Sequence, residues 1–156
     1  MGPYAGSLRA GVLSLKFRHR QVAAFRLGAI LGMKLYFTID AIVPVPLHRN
    51  RLLARGFNQA EVIAQGIAST YGAALCRSAL VRTRATIAQS SLSLRERRKN
   101  VDSAFALGSD APALRNARVM IVDDVVTTGA TAAACAAALT QGNATSILVA
   151  ALAIRL

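Results

Sequence analysis

Acidic residues are scarce in this chain, and none occurs before Asp40. Seven acids stand against 19 lysines and arginines, a net charge of +12 over 156 residues. Such an excess points to polyanionic partners, whether a phosphorylated small molecule, nucleic acid or both. Aromatics make up only 5% of the chain and tryptophan is absent, which argues against single-strand recognition by base stacking. Only two cysteines occur, Cys76 and Cys135. They support neither a zinc site nor a disulfide framework and are expected as small buried hydrophobes.

Long apolar runs are missing as well. No uncharged apolar run reaches the roughly 18 residues that a membrane span needs. Arg9 and Lys16 break the N-terminus, so it has no secretory apolar region. Gly6 stands where a myristoylation signal would want Ser or Thr. The expectation is a cytoplasmic protein with no membrane span. A hydrophobic content of 54% argues against disorder. There is no internal repeat and no low-complexity linker. The length suits a single domain over 1–156, with a helical N-terminal region over 1–36 and a core over 37–156.

What the chain does have is concentrated in residues 119–131. Four apolar residues, Val119, Met120, Ile121 and Val122, read as a buried strand. Asp123 and Asp124 follow, then a bend rich in hydroxyls, Thr127, Thr128, Gly129, Ala130 and Thr131. The alanine-rich residues 132–139 then predict a helix. The bend therefore opens a helix whose first N–H groups and dipole suit a phosphate. Gly129 gives the backbone its freedom there. Carboxylates at a strand's carboxyl end, where ligands bind open α/β sheets, accept hydrogen bonds from sugar hydroxyls. The ligand this suggests is a ribose 5-phosphate. Both acids and the bend's amides are then expected on the same side of the sheet edge. The plainer alternative is an ordinary strand-to-helix turn with a Thr cap and two solvated aspartates.

The rest of the chain reads as alternating strands and helices. Two helices are expected over 4–36, the second burying a stripe of Val22, Phe25, Ala29, Ile30 and Met33, with the Arg26 stem packed along it. Residues 41–46 predict a strand that must stop or lie at an edge by Pro44. A basic loop, residues 47–51, precedes a helix opened by Asn58 and Glu61 as a capping box. Residues 75–81 predict a second strand and 104–107 a third. Residues 82–102 are long, polar and rich in arginine, the signature of a functional or mobile stretch. The chain closes with a strand over 146–154. This order implies a parallel sheet flanked by helices.

The double acid followed by Thr-Thr-Gly resembles the ribose-phosphate loop of the type I phosphoribosyltransferases. Three further stretches resemble one branch of that superfamily, the ComF-type competence proteins. One is Pro44 to His48 with Arg51, Arg55 and residues 56–59. The second is residues 82–86 with Gln89, Leu92, Arg97 and Asn100. The third is Tyr4 with residues 15–17. Members of the branch commonly carry a four-cysteine zinc ribbon ahead of the Tyr4 region, and this chain begins after it.

The resemblance implies a type I phosphoribosyltransferase-like fold, with a parallel sheet flanked by helices and a reduced N-terminal helical hood. It implies that Asp123 and Asp124 act on the sugar and its developing positive charge. Thr127, Thr128, Gly129, Ala130 and Thr131 would hold the 5-phosphate. Leu47, His48, Arg49 and Arg51 would form a pyrophosphate loop, in which His48 either donates a proton or is a plain hydrogen-bonding residue. Arg84, Gln89 and Arg97 would belong to a lid over the anomeric carbon. Mg²⁺ would be bound through the ligand's pyrophosphate, with Asp123 or Asp124 reaching it via water. Thr127 stands where purine-salvage members place an acid, which disfavours a 6-oxopurine acceptor, and no glutaminase nucleophile is present. Two functions follow: phosphoribosyl transfer from phosphoribosyl pyrophosphate to an amine or base, with a role in DNA uptake, or non-catalytic binding with single-stranded DNA and other competence proteins as partners.

Overall fold

The computed structural model describes residues 2–3, 21–84 and 104–155. Its elements run β1 (Gly2–Pro3), α1 (Gln21–Met33), β2 (Ala41–Pro44), α2 (Arg49–Arg55), α3 (Gln59–Tyr71), β3 (Ala74–Leu75), β4 (Leu80–Arg82), β5 (Phe105–Leu107), a 3₁₀ turn (Ala111–Leu114), β6 (Arg118–Val126), α4 (Ala130–Gln141) and β7 (Ser146–Ile154). The main sheet has the order β1-β7-β6-β2-β3, and every pairing in it is parallel. β4 and β5 form a separate antiparallel ribbon. The parallel sheet, the closing strand and the helix after the Thr/Gly bend agree with the sequence reading.

Alternation along β6 sorts the core into two layers. Val119 and Ile121 join Val43, Phe105, Cys135 and Leu139 on the face that carries α4 and the ribbon. Met120 and Val122 join Ala24, Ile42, Ile63 and Ile67 on the face that carries α1 and α3. Burial on both faces explains why the start of β6 is a continuous apolar run.

The amino ends of β2 and β6 are locked by a forked pair. Arg118 Nη2 donates to Asp40 Oδ1 at 2.7 Å and Nε to Oδ2 at 2.9 Å. The Arg118 backbone N–H adds a bond to Oδ2 at 2.8 Å. These bonds hold the Asp40 carboxyl down at about 2.

The face that α1 buries is not the one expected. Val22, Ile30 and Met33 are 63%, 51% and 71% exposed, and Phe25 is exposed too. Ala24, Gly28 and Gly32 are buried instead. The reason is the distance between helices: a methyl on Gly28 would run into the Ile63 carbonyl oxygen, and one on Gly66 into that of Phe25. Backbones this close admit only small side chains, so large apolar residues turn outward.

Four local readings also change. Residues 75–81 are not one strand, because β3 ends at Leu75 and β4 starts at Leu80 in the other sheet. Residues 47–51 are not wholly a loop, since α2 begins at Arg49 with His48 as its N-cap. β2 stops at Pro44 inside the sheet; β3 pairs only with Ala41 and Ile42, so no neighbour on that side asks for a proline N–H. Asn58 does cap α3, accepting from Ala60 N at 3.1 Å, whereas Glu61 turns to Arg77 at 3.4 Å rather than closing the capping box.

Among the described residues, no helix is long and apolar enough to cross a membrane. The expected helix before Gln21 lies outside the described residues.

Candidate functional site

β6 continues two residues past the acids, so Asp123 and Asp124 lie within the strand rather than after it. At Val126 the chain bends, and Gly129 takes a left-handed backbone, φ 75°, as the N-cap of α4. A Cβ at this glycine would meet nothing within 4 Å, so conformation and not space demands the residue. Gly129 offers no side-chain cap to α4. The Thr128 hydroxyl accepts from Ala130 N, but at a long 3.4 Å.

Asp123, Thr127, Gly129, Ala130 and Thr131 line one recess at the carboxyl end of β6. Asp124 does not share it. The Asp124 carboxyl nonetheless lies in side-chain hydrogen-bond contact with that of Asp123.

The electrostatics of Asp123 follow from its position. Burial raises its carboxyl pKa to about 8, and the Asp124 carboxylate pushes the same way. Its Oδ1 accepts from Asp124 N at 2.8 Å, and the Arg82 charge also opposes the rise. Asp124 Oδ1 accepts from Val125 N at 2.8 Å. Burial likewise raises the Cys135 and Cys76 thiols. Both are buried, as expected, and held away from the reactive thiolate form.

The basic residues enter from two other elements. Val45 N donates to Val122 O at 2.9 Å, which sets residues 46–51 going from the same sheet edge. His48 Nδ1 accepts from Asn50 N at 3.3 Å, the geometry of a capping residue. Leu47 and Arg51 are half-buried and Arg49 is exposed. Arg82, at the end of β4, was not singled out from the sequence. Burial lowers its pKa, as does the neighbouring Arg51 charge, while Cys135 and Asp123 pull it back. Arg82 therefore feels the charges of both Arg51 and Asp123. Arg84 follows on the surface, and Gln89 and Arg97 lie outside the described residues.

Among the described residues, no group of three or more His, Cys, Asp or Glu could hold a metal ion. The Asp123 and Asp124 carboxyl groups near the end of β6 nonetheless fit Mg²⁺, which uses one or two carboxylates together with substrate phosphates. A second surface hollow, lined by Arg115, Asn116, Thr140, Asn143 and Thr145, lies at the amino ends of β6 and β7 and contains no acid.

No family model matches the chain. Solved structures share its fold. One is that of the allosteric regulatory enzyme of purine biosynthesis, with a TM-score of 0.59, 20% identity, and coverage of 85% of this chain and 26% of that one. Another is glutamine phosphoribosylpyrophosphate amidotransferase from B. subtilis, complexed with ADP and GMP, with a TM-score of 0.60 and the same identity and coverage. The fold is that of the type I phosphoribosyltransferases.

Curated relatives narrow the placement. The DNA utilization protein YhgH of Escherichia coli O157:H7 is 35% identical over 154 residues, or 94% of this chain and 66% of that protein. Its counterpart in Salmonella typhimurium is 36% identical with the same coverage. Competence protein F of Haemophilus influenzae is 37% identical over 92 residues, 59% of this chain and 40% of that protein. The chain belongs to the ComF-type, phosphoribosyltransferase-like competence proteins, and it spans 66% of the length of the YhgH relatives.

Proposed function

We propose that the chain binds phosphoribosyl pyrophosphate with Mg²⁺ at the carboxyl end of β6 and transfers its phosphoribosyl group to an amine or base. The observation that carries this reading is one recess shared by Asp123 and the Gly129-led start of α4. The 5-phosphate lies at the amides of residues 127–131, where the helix dipole favours an anion. Asp123 and Asp124, side by side at the strand's end, accept hydrogen bonds from the ribose hydroxyls. As the bond to pyrophosphate breaks, these acids in their ionised form stabilise the cationic sugar, while Arg49 and Arg51 stabilise the departing charge. Asp123 or Asp124 would hold Mg²⁺ through water, and the ion would supply neutralisation of the phosphate charge.

Calorimetry with phosphoribosyl pyrophosphate and Mg²⁺ tests the reading. One-site binding that is lost in Asp123→Asn supports it, and no heat from the wild-type protein overturns it.

A second reading is favoured by the net charge of +12 and by the names of the relatives, which speak of DNA utilization and competence. In it the same site binds phosphoribosyl pyrophosphate or a nucleotide without chemistry, and the basic surface holds single-stranded DNA during DNA uptake, in company with other competence proteins. A cytoplasmic location suits either reading.

A further inference from the structure

The outward face of α1 is apolar over its whole length. Val22, Phe25, Ile30 and Met33 recur along it at helical spacing, and Tyr36 and Phe37 continue it past the helix end. Tyr36 is 87% exposed, and its ring centre lies 4.5 Å from that of Phe37. The Tyr71 hydroxyl of α3 donates to the Phe37 carbonyl, which ties this end of the face to the fold. Turning α1 about its axis cannot hide these side chains, because a Cβ on Gly28 or Gly32 would collide with the backbone of α3. The six residues expose on the order of 700 Å², and a standard interface takes about 800 Å² from each partner. Apolar patches of this size mark interaction sites.

Charge decides what the face accepts. Arg26 stands inside the apolar arc, four residues from both Val22 and Ile30, and Lys34 lies at its edge. Both cations are exposed. The ion pairs among the described residues join Arg77 to Glu61 and Arg118 to Asp40, and neither involves Arg26 or Lys34. A second copy would bring the same two cations to the contact and no acid, since none precedes Asp40, and like charges set together oppose association. A bilayer suits a helix whose cations lie on the polar face, away from the apolar one. Here Arg26 sits within the apolar arc, where acyl chains would meet it. A helix from another protein can place a carboxylate at that spot and apolar side chains around it.

We infer that the outer face of α1 docks an amphipathic helix of another protein, one whose apolar stripe carries Asp or Glu opposite Arg26. α1 has 13 residues, about 20 Å of length, which accommodates a partner helix of similar span. The recess at the end of β6 is lined by the start of α4, whereas α1 covers the other face of the sheet. Docking on α1 and ligand binding in the recess therefore do not compete, and the inference stands apart from the phosphoribosyl reading.

The test titrates the full chain with a labelled synthetic helical peptide whose leucine stripe is interrupted by glutamates, and with a twin that has lysine for each glutamate. Fluorescence anisotropy should show binding of the acidic peptide and none of the basic one. Arg26→Glu and Met33→Gln should each weaken the acidic peptide about tenfold, as central interface residues do. Arg115→Glu makes the same change of charge at an exposed arginine outside the face and should stay within about twofold. No binding by the wild-type chain, or equal weakening by Arg26→Glu and Arg115→Glu, overturns the inference. Sedimentation velocity of the chain alone and co-sedimentation with phosphatidylglycerol vesicles examine the other occupants. A dimer, or vesicle binding, that Met33→Gln abolishes assigns the face to a second copy or to a bilayer and likewise overturns it.

Discussion

Asp123 and Asp124 are chain neighbours whose carboxyl groups touch, yet only Asp123 lines the recess with Thr127 and Thr131. The two acids should therefore fail differently. Asp123→Asn is expected to weaken ribose 5-phosphate binding itself, because the lost acceptor faces the recess. Asp124→Ala is expected to lower turnover on the order of 100-fold, the usual cost of one preorganised electrostatic group. Parallel measurements of ligand affinity and pyrophosphate release separate them. Normal turnover in Asp124→Ala contradicts the proposed mechanism.

The half-buried position of Asp123 also makes a prediction about stability. Its carboxyl pKa is raised in the folded protein, towards about 8. Between the ordinary carboxylate range and that value, the folded chain holds a proton that the unfolded chain has released. This contribution to stability is full below the unfolded pKa and is lost as pH rises through the folded one. Asp123→Asn should thus raise the melting temperature of the ligand-free protein at pH 8 relative to wild type, and the gain should shrink towards pH 4. Thermal scans across that range check it. A variant uniformly less stable at every pH contradicts it.

Gly28 and Gly66 set the spacing of α1 and α3. Gly66→Ala places a methyl against the Phe25 carbonyl oxygen, and overpacking of this kind costs about 1–3 kcal/mol. Met33→Gln, at a position 71% exposed, should stay within about 0.5 kcal/mol of wild type, like other surface changes. Urea unfolding of both variants distinguishes this seam from the stripe that the sequence pattern suggested.

Direct binding to single-stranded DNA has a quantitative signature. Each phosphate neutralised should steepen the log–log dependence of affinity on salt by about 0.7. Fluorescence anisotropy with a labelled oligonucleotide at several salt concentrations measures it. A flat response rejects the DNA-binding reading and leaves the phosphoribosyl site untouched.

Particular residues explain what could be read from the sequence and what could not. β6, α4 and β7 were legible because their signals are local: an apolar run, a Thr/Gly bend, and alanines of high helix propensity. The buried face of α1 was not. Periodicity marks large apolar residues, whereas a close helix pair hides its small ones, Ala24, Gly28 and Gly32. That Asp123 and Asp124 lie within β6 was not legible either, because an apolar run that gives way to acids looks like an ended strand. Arg82 was read as one charge among six in a polar stretch. Its place beside Asp123 and on Phe105 depends on pairing two segments more than 20 residues apart, which no local pattern announces.

The central claim is that a sugar phosphate docks at the bend between β6 and α4. Amide chemical shifts, followed while ribose 5-phosphate is titrated into ¹⁵N-labelled protein, report on that docking directly. Saturable shifts are expected at Thr128, Gly129, Ala130 and Thr131, with their loss in Asp123→Asn. Saturable shifts confined to the hollow around Arg115 and Asn143, with the bend unmoved, would contradict it.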